Sequence, residues 1–168
     1  MLFIQFPINQ INRVMTGGES WAKEGLGRTG DVYLIGPDKR MRSRSRLLWE
    51  DPTGFYNKLE TNGYSPEDIA RVRRAGTATL AQRVDTASAE QALSGHEGAG
   101  VSKNYLGEQV LTSYAPLDIP GLHWAIFAEM RDRPEIWGIM TIGIGPVGYV
   151  AGWGSTDGMD AAFGWDGD

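Results

Sequence analysis

Hydrophobic positions along this chain fall into short strand-length runs, set apart by glycine and proline, on either side of a long polar stretch with helical spacing. Leu2 to Phe6 is a short, mostly apolar run suited to a buried strand. Pro7 then fits the first turn of a helix, with Ile8, Ile11, Val14 and Met15 on one face and Gly17-Gly18 as its stop. Asp31 to Ile35 reads DVYLI, a strand rich in β-branched and aromatic residues. Gly36-Pro37-Asp38-Lys39 has turn chemistry, because proline presets φ at the second position. Arg40 to Leu47 is expected to return as the partner strand. The glycines of GLGRTGD, Gly25 to Asp31, serve the base of this hairpin.

From Trp49 to Gln82 the pattern turns helical and polar. Asp51-Pro52 starts one short helix carrying Phe55, Tyr56 and Leu59. Ser65-Pro66-Glu67-Asp68 is a stronger start, with Ser at the N-cap, Pro at the first helical position and an acidic residue three on. Ile69, Val72, Gly76 and Leu80 then form a narrow apolar stripe. Thr86 is placed to cap a further helix through Leu93, which Gly95 ends. Three strands follow, at about Gly100 to Tyr105, Gln109 to Pro116 and His123 to Met130, joined by turns at Leu106-Gly107 and Ile119-Pro120-Gly121. Hairpin-linked strands with helices inserted on one side give an α+β fold around an antiparallel sheet of about five strands.

Composition narrows the function classes. The 168 residues suffice for one domain with a buried core. With no cysteine, disulfides, thiolate nucleophiles and Cys-based metal sites are excluded. The apolar LFIQF after Met1 has no basic residue before it, so no secretory signal is visible. The net charge of −5 is unevenly spread: all 16 Lys and Arg lie at or before Arg133, and residues 134–168 carry five acidic residues and none that is basic. A boundary is therefore placed at Pro134, giving a module over 1–133 and a Gly-rich acidic tail over 134–168. Ile136 to Trp153 is uncharged for 18 residues, close to bilayer-spanning length. Its five glycines and one proline, and the lack of a following Lys or Arg, favour a poorly ordered tail over a membrane span.

GLGRTGDVYLIGPDKRMRSRSR and VLTSYAPLDIPGLHWAIFAEM, with QFPINQINRVMT and QRVDTASAEQALSGHEG, occur in the order expected of one family. Over Leu2 to Arg133 the chain resembles the membrane-proximal module of a Cache sensor domain, as found in Cache-bearing bacterial adenylate/guanylate cyclases, chemoreceptors and sensor kinases. The resemblance implies a PAS-like extracytoplasmic (periplasmic) fold, a fragment of a transmembrane signalling protein, coupled through flanking membrane segments to a cytoplasmic effector such as a nucleotide cyclase. It implies a homodimer in the full receptor and either a small-molecule ligand or a relay role without one. The sequence departs from the family at Arg44, where RSRSR replaces an expected acidic residue, and the resemblance stops after Pro134. A purely structural dimerisation module is the alternative; a small hydrolase or isomerase fits less well.

Several features resemble sites without making one. GLGRTG lacks the GK[ST] ending and the strand-then-helix setting of a phosphate loop. Arg40, Arg42, Arg44 and Arg46 alternate, so a strand would put them on one face, read as a solvated face rather than an anion or nucleic-acid site. Near-zero charge through Arg133 also argues against nucleic acid. His96 and His123 sit in unrelated contexts, no nucleophile motif such as GxSxG occurs, and no cofactor is expected. A ligand pocket would lie between the sheet and the helices of Trp49 to Gln82. Tyr33, Arg42, Arg46, Tyr105, Tyr114 and Asp118 are the candidates to line it, against the plainer reading in which the tyrosines only pack the core.

Overall fold

A computed structural model describes residues 8–16, 26–117, 119–131, 140–145 and 148–153, the last two ranges as backbone only. The elements run α1 (Ile8–Thr16), β1 (Asp31–Ile35), α2 (Arg46–Glu50), α3 (Pro52–Thr61), α4 (Pro66–Ala75), α5 (Ala87–Leu93), β2 (Gly98–Lys103), β3 (Gln109–Pro116), β4 (Ala125–Arg131), β5 (Met140–Gly145) and β6 (Gly148–Trp153). The fold is α+β. Its main sheet is antiparallel with four strands in the order β1-β4-β3-β2, so the first strand lies beside the last of the module.

Helix starts follow the capping chemistry. The Asp51 carboxylate accepts the Gly54 N–H at 2.9 Å, the Ser65 hydroxyl the Asp68 N–H at 3.1 Å, and the Thr86 hydroxyl the Ala89 N–H at 3.2 Å. Gly76, at φ +62°, closes α4 in the left-handed conformation. The expected stripe therefore stops at Val72. Gly76 and Leu80 lie beyond the helix, and Leu80 is exposed in the turn that follows.

Both faces of the sheet are covered. Tyr33, Ile35, Ala125 and Phe127 point toward α2–α5 and pack with Phe55, Leu59, Ile69, Val72 and Ala89. Val32, Leu34, Ala115, Ile126 and Ala128 point the other way and pack with Leu26 and Leu117, while Ile11 and Met15 of α1 close that side. The expected helix at Ile8 forms, yet only Ile11 and Met15 of its apolar set are used; Val14 is 80% exposed. Helices thus lie on both faces, not on one.

The expected strand from Arg40 to Leu47 does not form. The turn closes as foreseen, with the Lys39 N–H donating to the Gly36 carbonyl at 2.9 Å. Two ladder-like bonds follow, from Gly36 to Arg40 and from Arg42 to Leu34, at 3.0 and 2.7 Å. The Ser43 hydroxyl then takes the Leu34 N–H at 3.0 Å, and Ser45 becomes the N-cap of α2. On its other side the segment pairs with the chain after α4: Met41 N–H to Gln82, Leu80 N–H to Met41 and Val84 N–H to Lys39. Serine side chains end the ladder before a strand is established.

The strand expected at Leu2 to Phe6 lies outside the described residues. Within the stretch 136–153, β5 and β6 form a two-stranded antiparallel ladder from Met140↔Trp153 to Gly145↔Gly148. Among the described residues no helix is long and apolar enough to cross a membrane.

Candidate functional site: a buried acidic pair

Strand register builds two rows on the helical face of the sheet. In the first, Tyr33 lies opposite Phe127, which lies opposite Tyr114. The rings stack, with centroids 5.2 Å apart for Tyr33–Phe127 and 6.1 Å for Tyr114–Phe127. At the end of this row Gly98 leaves room for the Tyr114 hydroxyl: a Cβ there would lie 2.6 Å from it. Two residues along each strand the row turns polar, with Asp31 opposite Glu129 and Glu129 opposite Thr112.

Asp31 and Glu129 of this second row form the floor of a small cleft of about 40 Å³, room for a few water molecules. Arg28, Arg46, Glu50, Glu108 and Arg131 surround its mouth, and Asn104 and Tyr105 its inner wall. Glu129 is 5% exposed. Its Oε1 accepts the Tyr33 hydroxyl at 2.7 Å, and the Asn104 side chain lies close enough to temper the rise in its proton affinity. The Asn104 amide is held in place because its oxygen accepts the N–H groups of Leu106 and Glu108, both at 3.0 Å. Asp31 is less well served. Oδ2 accepts the Arg46 N–H at 3.1 Å, while Oδ1 is enclosed and has no hydrogen-bond partner.

Burial dominates the electrostatics. It pushes Asp31 up to about 7 against the pull of Arg46, and Glu129 up to about 8, with Asp31 adding to the rise. Tyr33 is raised well above the usual phenol value by burial and by the neighbouring Glu129 carboxylate. Burial likewise raises Tyr105, whose hydroxyl shares a 2.9 Å hydrogen bond with Ser45.

Arg46 is the cleft's positive wall and the first residue of α2. It is 8% exposed, bonds the Gly30 and Gly27 carbonyls through Nη1 at 2.7 and 3.1 Å, and reaches Glu50 through Nε at 2.9 Å. The other alternating arginines are also tied down. Arg40 bonds the Ala81 carbonyl at 2.7 Å, Arg42 bonds Asp38 at 2.7 Å and lies 5.9 Å from the Trp124 ring, and Arg44 sits 4.1 Å over Trp49. The solvated strand face expected of these four is thus replaced by a set of staples, because the segment does not continue as a strand.

Of the six nominated residues, Arg46 and Tyr105 line the cleft and Tyr33 reaches its floor through Glu129. Tyr114 packs half-buried on Phe127, Arg42 sits elsewhere over Trp124, and Asp118 lies outside the described residues. The volume expected for a ligand between sheet and helices is filled by Tyr33, Phe55, Tyr105 and Phe127. Asp31, Glu129 and Asn104 went unnominated. Glu129 had a readable signal, as the one charged residue within the apolar run AIFAEM. Among the described residues no group of three His, Asp or Glu side chains is arranged to hold a metal ion. No protein-family model matches the chain, and neither a curated protein nor a solved structure does.

Proposed function

We propose that this chain is a non-catalytic sensory or signal-relay module of the Cache type, from the extracytoplasmic part of a bacterial transmembrane signalling protein with a cytoplasmic effector such as a nucleotide cyclase. The observation that carries the reading is the cleft at the junction of sheet and helices, where buried polar groups of β1 and β4 meet the first residue of a short helix. Such a junction lets a change at the sheet move a helix. Connectivity supports it too. The stretch after the turn makes two ladder-like bonds to β1 on the side away from β4, and α2–α5 are inserted between that stretch and β2. We read this as a PAS-like sheet whose second strand is cut short by Ser43 and Ser45.

The relay form is favoured over recognition of a large ligand, since the candidate volume is taken up by aromatic side chains whose hydroxyls are already bonded. A module of this kind acts as a dimer in its parent. The test is a thermal-shift screen of amino acids, carboxylates, amines and purines, combined with sedimentation. The expected result is no shift beyond ~1 °C with the larger ligands, together with a concentration-dependent dimer. A monomer at all concentrations, or turnover of any compound, would overturn the proposal.

A further inference from the structure

We infer that Asp31 and Glu129 form a proton-binding site: the pair carries one proton between them, and the presence of that proton sets how tightly α2 is docked on the sheet. The two residues are direct partners in the β1–β4 ladder and point to the same face. Side chains opposed in this way stand about 5 Å apart at Cβ. Two carboxyl groups carried on such neighbouring positions, in a cleft holding only a few waters, do not both ionise readily.

Arg46 draws Asp31 toward its ionised form, but the neighbouring charges offset burial only in part. From α2, Arg46 is engaged with Glu50 and with two backbone carbonyls. From β4, Arg131 pairs with Glu108 at 3.2 Å, and Lys58 of α3 pairs with the same carboxylate at 2.7 Å. Tyr33 and Tyr105, the titratable groups of the inner wall, are both held neutral by burial. Glu129 Oε1 has the Tyr33 hydroxyl as its donor, whereas Asp31 Oδ1 has none. A proton on Asp31 gives that enclosed oxygen a bond to make, either to Glu129 or through a water. A metal or ammonium ion is disfavoured in the same place, because Arg28, Arg46 and Arg131 line the cleft.

The link to α2 is the Arg46 N–H, which opens the helix and donates to Asp31 Oδ2. Ionising Asp31 strengthens that charge-assisted bond, while the repulsion between two ionised carboxylates works against the β1–β4 pairing that carries it. The sign follows from the raised affinity for protons in the folded state. Stability is fully present below the ordinary carboxylate range, at about pH 4, and is lost as pH rises through the folded values near 7 and 8.

The pair's regulatory role rests on the relay reading; the proton site itself rests on geometry alone. The test uses the full chain. The Arg46 amide resonance and the carboxyl carbons of Asp31 and Glu129 are followed by NMR from pH 4 to 9. The melting temperature is recorded over the same range for wild type, Asp31→Asn and Glu129→Gln. The expected result is the coupled carboxyl pair and the Arg46 amide titrating together between about pH 6 and 8.5, with a wild-type melting temperature falling by on the order of 5 °C from pH 5 to 9. Either variant flattens that fall. Titration of both carboxyls near their ordinary values would overturn the inference with no variant needed, as would a fall unchanged in both variants. Stabilisation by sodium, potassium or ammonium at fixed ionic strength, abolished in Asp31→Asn, would replace the proton with a cation and equally overturn it. A pair that titrates as expected in a chain that never dimerises would retain the proton site and sink the relay reading.

Discussion

At position 33 a phenol stands where an apolar strand would accept phenylalanine, and its ring and hydroxyl perform separate tasks. The ring stacks on Phe127 and meets Tyr105 edge-on at 5.6 Å, while the hydroxyl donates to Glu129. Tyr33→Phe keeps the stacking and leaves a buried carboxyl with one donor fewer. It should cost about 1–2 kcal/mol in urea denaturation at pH 7. Lys39 presents the opposite balance. Its φ of +56° is a backbone cost for any side chain, set against ion pairs with Asp85 at 2.6 Å and Glu90 at 2.8 Å. Those hydrogen bonds raise the lysine's proton affinity and hold Asp85 below the usual carboxylate range. Both carboxylates are well exposed, so the pairs are worth ~0–1 kcal/mol, about what glycine would recover in the backbone. Lys39→Gly is therefore expected to change stability by less than about 1 kcal/mol in the same assay. The tyrosines were legible as core residues because aromatic positions in strands usually are. Asp31 was not, since an acidic residue at a strand's first position reads as the edge of a turn until its partner across the sheet is known.

The starts of α3, α4 and α5 were legible for a local reason, whereas α2 was not, its first residues falling in the expected strand. Ser65-Pro66, Asp51-Pro52 and Thr86 carry their start signals within four residues, and each forms the cap that its side chain allows. Ser65→Ala should lower stability by about 1 kcal/mol, seen as a lower urea midpoint with an unchanged slope. The segment from Arg40 to Leu47 was misread because its alternation is real but its partners are not a strand's. Met41, Ser43 and Ser45 are buried as alternation requires. Their bonds, however, go to Leu34, to the chain at Leu80 and Gln82, and to the N-terminus of α2. No local pattern announces that a serine hydroxyl will take a strand's N–H. The reach of α1 was overestimated in the same way, since helical spacing identifies an apolar face but not how much sheet lies beneath it.

Across the whole molecule, β1 and β4 are shared by both cores, Tyr33 and Phe127 facing one and Val32 and Ala128 the other. Phe127→Ala removes the central ring of the aromatic row and should cost roughly 3–5 kcal/mol. Far- and near-ultraviolet circular dichroism should then show one transition shifted together; a partly melted state keeping α1 on its face would contradict a cooperative β4. The α+β class and the antiparallel strands were legible from turn spacing. The placement of β1 beside β4 was not, because it is a contact between distant parts of the chain. That pairing bears on how the protein is made. Tyr33 and Glu129 are 96 residues apart, so at ordinary translation speeds the apolar strand DVYLI waits roughly 5–20 s on the ribosome before its partner emerges. During that interval the helices between them can fold locally. The strand that finally anchors the sheet is, for those seconds, the part of the nascent chain most in need of a chaperone.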